Sequence, residues 1–137
     1  MSPKEESAMR NRQVPHAEWP RFFESFTRRH RGWLATVRVI DPRLGAQVEA
    51  KGLPLEGIMV DPQSHGPISI LLGSGPSANV EHPVDSPEQV WVEVTEEGAE
   101  AALEILSAGG TKTILEFRGA VLPEMVDGLA SEPVSGS

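Results

Sequence analysis

Three groups of side chains in this 137-residue chain have types and spacing that could do chemistry. Arg28, Arg29, His30 and Arg31 form the one basic cluster, which could meet an anion, an acidic partner or RNA. The same run at the end of a helix also complements the negative pole of the helix dipole. Asp61, His65, His82 and Asp85 offer imidazole and carboxylate donors of the kind that hold zinc or iron. Both halves of that set fall in polar turns, with no rigid element to aim them. Glu96, Glu97 and Glu100 crowd one turn, and Glu104 and Glu116 fall on the polar face of a hairpin. Paired carboxylates do acid–base work only in a pocket that shifts their pKa values. On an open hairpin they read as solvated charges that discourage edge pairing.

Other chemistries lack their residues. There is no cysteine, so disulfides, thiolate metal sites and cysteine nucleophiles are excluded. No GxSxG or SxxK occurs, and Gly73-x-Gly75 lacks the further glycine and the helix of a phosphate loop. No catalytic residue and no cofactor is assigned. The balance favours a non-enzymatic module over an enzyme.

The element that must position these groups is EWPRFFESFTRRHRGW, residues 18–33. Trp19, Phe22, Phe23 and Phe26 recur at helical spacing and share one face. Pro20 is tolerated only in a first turn, so the helix starts near Ala17, and Gly32 is its stop. With Trp33, and with Leu103, Ile105, Leu115 and Phe117 of a later hairpin, they are assigned to the core. From Trp33 onward the period shortens to that of strands. WLATVRVI (33–40) alternates cleanly, whereas Gly52, Pro54 and Gly57 predict a bent or bulged strand up to Val60. ISILLG (68–73), VEHPV (80–84) and QVWVEVT (89–95) follow. Residues 95–106 could form a helix capped by Thr95, but the preferred reading is a turn and then a strand. LEILSAGGTKTILEF (103–117) reads as a hairpin with Gly110 in the left-handed region.

The expected fold is therefore mainly β (α+β). An N-terminal amphipathic helix precedes about six short antiparallel strands in a small barrel or rolled sheet. The expected organisation is a disordered arm over 1–14, one globular domain over 15–120 and a mostly disordered tail over 121–137.

Charge narrows the partners. Residues 1–31 carry seven Lys/Arg against four acids, and residues 32–137 carry five against sixteen. An acidic body repels nucleic acid, so RNA is disfavoured as a partner. No apolar run approaches the roughly 20 residues of a membrane span, and the N-terminus has no apolar signal region. A cytoplasmic location without a membrane partner is expected.

EWPRFFESFTRRHRGW (18–33), LPLEGI (53–58), ISILLG (68–73) with EHPV (81–84), and LEILSAGGTKTILEF (103–117) together resemble a family of small bacterial proteins known only as a domain of unknown function. The resemblance covers roughly residues 14–128. It implies a compact bacterial domain and carries no functional residue across.

Trp91 stands opposite the valine face of its strand, which makes it either covered or a contact anchor. The leading expectation is an interaction or accessory module that binds itself or another protein through Trp91 or a strand edge. The alternative is a small-barrel RNA or anion binder using Arg28, Arg29 and Arg31. A second alternative is a metal-dependent enzyme on the 61–85 loops.

Overall fold

The computed structural model describes residues 9–61, 66–73 and 79–118. Strand β1 (Met9–Val14) leads through a single 3-10 turn (His16–Glu18) into helix α1 (Trp19–His30). Seven strands follow: β2 (Leu34–Asp41), β3 (Gly45–Val60), β4 (Ile68–Leu72), β5 (Val80–Val84), β6 (Pro87–Thr95), β7 (Glu100–Ser107) and β8 (Lys112–Phe117). All neighbours are antiparallel, in the order β1-β6-β7-β8-β2-β3-β4-β5. The expected mainly β fold with one helix is what forms. The outer strands β1 and β5 do not pair, so the sheet is open rather than a closed barrel.

Helix α1 starts at Trp19, with Pro20 in its first turn where no N–H is required. Trp19, Phe23 and Phe26 are fully buried, and Phe22 packs half-buried at the rim. Each buried aromatic contributes on the order of 1.5–3 kcal/mol. Gly32, at φ +90°, turns the chain out of the helix. That turn corrects one core assignment. Trp33 is 39% exposed and touches the core only edge-on, through His30 and Phe117.

Strand β3 is bulged as its glycines and proline predict. Its partner on β2 advances from Ala35 to Arg38 while β3 goes from Leu53 to Val48, two residues too many. A further shift falls between Leu55 and Gly57 on the β4 side. The first part of β3 pairs with β2 and the last part with β4, so one strand serves both halves of the sheet. At the second bulge α1 is fastened to it. The Ile58 N–H donates to the buried Thr27 hydroxyl at 3.0 Å, and Gly57 is buried beneath the Thr27 methyl.

The hairpin is also as expected. Leu103 pairs with Leu115, both buried with Ile105 and Phe117, and residues 100–107 are strand rather than helix. Gly110 is left-handed (φ +94°), and Gly109 beside it is too (φ +88°).

One assignment is corrected outright. Residues 9–14, placed in a disordered arm, form an edge strand on β6, from Met9 opposite Thr95 to Val14 opposite Val90. Val14 is its one buried side chain among those described, and its carbonyl accepts the Trp19 indole N–H at 3.1 Å. An edge strand needs only a backbone ladder and one apolar anchor, so it leaves no alternating pattern to read.

Replacing Thr27 with valine keeps the volume but leaves the Ile58 N–H without its acceptor. Chemical denaturation is expected to show a loss of about 1–3 kcal/mol with an unchanged m-value.

Candidate functional site

Strands β6, β7, β8 and β2 alternate two faces. Val90, Val92, Leu103, Ile105, Leu115 and Val37 are buried on the inner one, under α1. The outer face carries the other residues of each strand. One row runs from Gln13 through Trp91, Glu104, Ile114 and Arg38 to Val48, each directly opposite the next. The neighbouring row runs through Gln89, Leu106, Lys112 and Ile40. Trp91, Leu106 and Ile114 are half-buried by these neighbours, and Ile40 and Val48 are exposed. The one helix among the described residues packs on the opposite side. Among the described residues, no element lies over the apolar side chains of the outer face.

Charged side chains alternate with the apolar ones along both rows. Lys112 meets Glu104 at 3.3 Å, and Arg38 is paired with Glu116. Glu93 has no such cation. Burial, with Glu104 and Glu116 nearby, pushes its carboxyl above the usual range, and Lys112 opposes this only in part. Trp91 is held upright by its own strand, its indole N–H donating to the Gln89 side-chain oxygen at 3.0 Å.

The basic cluster is not one patch. Arg28 reaches Glu24 at 3.6 Å on the exposed face of the helix. Arg31 donates from Nε to the Glu56 carbonyl at 3.3 Å. Arg29 donates to both oxygens of Glu100, at 2.7 and 2.9 Å. His30 turns inward, 3% exposed and stacked on Phe117 with ring centroids 4.6 Å apart. Its Nδ1 donates to the Phe26 carbonyl at 2.8 Å, and its Nε2 lies 3.4 Å from Glu100. Glu100, read from sequence as a solvated turn charge, in fact clasps the helix end to β7. Burial lowers the His30 pKa, against the raising effects of the Phe26 bond and Glu100.

The metal set is not assembled among the described residues. Val60, Ile68 and Val84 are in register, so Asp61 and Asp85 leave the same end of β3 and β5 with β4 between them. His82 sits two residues inside β5, opposite Ile70. His65 lies outside the described residues. No group of three or more His, Asp or Glu side chains that could hold a metal occurs among those described. Among the described residues, no helix is long and apolar enough to cross a membrane.

A model of a family of unknown function, DUF5335, matches residues 10–124. An uncharacterised protein of Aquifex aeolicus (strain VF5) is 26% identical over 117 residues, covering 85% of this chain and all of that protein. No solved structure matches the chain.

Two pH responses follow. The fold holds His30 neutral where the unfolded chain, at 6.5, begins to charge it. Stability is therefore complete above that value and falls as the pH drops from it toward the lowered folded value. Thermal melts of wild type and His30→Gln should diverge in their pH dependence across that window. For Glu93 the sign is opposite, because a raised folded pKa makes the charged form a cost at neutral pH. Glu93→Gln is expected to melt higher than wild type at pH 7, with the gain vanishing as the pH approaches 4.5.

Proposed function

We propose that this chain, which belongs to the family of unknown function DUF5335, is a protein-interaction module that self-associates through the outer face of its sheet. The observation that carries this reading is the set of outer-face residues Trp91, Leu106 and Ile114, which no element covers among the described residues, interleaved with charges paired within the chain. A tryptophan among half-buried aliphatic residues supplies the kind of anchor that dominates interface energies. The charges set among these residues are paired within the chain, so covering the face leaves no ion of those pairs without its partner.

Charge polarity favours a second copy as the occupant. The β6 side ends in Glu93, the uncompensated acid, and the β2–β3 side carries Arg38 and Lys51. A two-fold axis parallel to the strands sets each acidic side against the basic side of the other copy. It also lays Trp91 over the second copy's Arg38, a favourable cation–π arrangement. An isologous contact of this kind forms without any further partner.

Sedimentation velocity over a concentration series should give a reversible dimer that weakens in raised salt. Trp91→Ala is expected to weaken it by roughly 2 kcal/mol or more, about thirtyfold in dissociation constant. Unchanged mass and unchanged partner capture in that variant would remove the proposal.

A further inference from the structure

We infer that the groove between β2, β3 and the end of β8 binds a phosphate group, either free or as the monoester of a small molecule. The groove has a volume of about 430 Å³. Residues 32–137 contain only five Lys and Arg, against sixteen acids. Three of those five, Arg38, Lys51 and Arg118, line this groove. In so acidic a body, that convergence concentrates positive potential at one place.

The one acid in the lining, Glu116, is already engaged by an Nη of Arg38. The other end of that guanidinium is not served, because Arg38 Nε is buried with no hydrogen-bond partner. A desolvated donor of this kind is costly until an acceptor meets it. No acid among the described residues pairs with Lys51 or Arg118. A bound oxyanion would satisfy all three cations, and two guanidinium forks with an ammonium suit the several oxygens of a phosphate.

The backbone builds this arrangement. The β3 bulge falls at Lys51 and Gly52, where Gly52 takes φ +65° and its N–H donates to the Thr36 hydroxyl at 3.1 Å. A Cβ at Gly52 would stand 3.3 Å from a guanidinium nitrogen of Arg118, so the glycine leaves that side chain its place. The root of Arg118 is fixed by its N–H donating to the Leu34 carbonyl at 2.9 Å. Val48 and Phe117 add an apolar wall suited to the organic part of an ester.

The site stands on these residues; because Arg38 and Lys51 also face the second copy in the proposed dimer, phosphate binding and self-association compete for them. The test is NMR titration of the full chain with inorganic phosphate and with phenyl phosphate at constant ionic strength. The Arg38 Nε–H and Gly52 N–H resonances are followed. Saturable shifts at both are expected, weakened roughly tenfold or more in the Lys51→Gln/Arg118→Gln double variant. Neither substituted side chain pairs with an acid of its own chain among the described residues, and an unchanged melting temperature confirms the fold. Trp91→Ala, which weakens self-association and so frees the groove, should leave the shifts at least as strong as in wild type, so failure of the interaction reading does not touch this one. Tighter binding of phenyl phosphate identifies an ester ligand, and equal binding identifies free phosphate. Shifts linear in ligand, equal in the double variant, or reproduced by chloride would overturn the site.

Discussion

The structure depends on the seam between α1 and β3. Trp19, Phe23 and Phe26 project from the helix into the concave side of the sheet, and Thr27 takes the Ile58 N–H beside the bulge where β3 changes neighbours. A straight sixteen-residue strand could not serve two halves of a rolled sheet. The bulges bend it, and at such bends backbone donors need partners outside the ladder. The helix supplies one of them. Around the same corner the Gly32 N–H donates to the Leu55 carbonyl and the Leu55 N–H to that of Trp33. The helix exit and the strand bend are thus one structure.

That seam decides where function can reside. With the only described helix on the inner face, no described element lies above the apolar residues that alternate outward on β6, β7 and β8. The charges set among them are largely self-neutralised. The exceptions, Glu93 on one side and the cations of the β2–β3 groove on the other, give the face its polarity. Uncompensated charge held in a rigid sheet costs stability, and such a cost points to binding.

The helix was legible because four aromatics from Trp19 to Phe26 at helical spacing, with Pro20 in the first turn and Gly32 beyond the end, admit no other element. The 103–117 hairpin was legible because its loop fixes which residues share a face. Strand β1 was not, because a polar edge strand is specified by the backbone of its neighbour and by a single Val14 contact. Trp33 misled because Gly32 turns it off the helix, and the arginine cluster misled because a helix fans consecutive residues apart. The groove was hidden for the opposite reason. Arg38, Lys51 and Arg118 are far apart in sequence and meet only through the β3–β2–β8 order and one bulge.

The central functional claim is that the outer face recognises its own copy through opposed charges. The most direct measurement is native mass spectrometry of Glu93→Lys and Lys51→Glu variants, alone and mixed. The account predicts that each alone dimerises more weakly than wild type, because like charges then oppose across the two-fold. An equimolar mixture should recover a heterodimer, since both opposed pairs become complementary. Equal dimerisation of each variant alone, or no recovery on mixing, would contradict it.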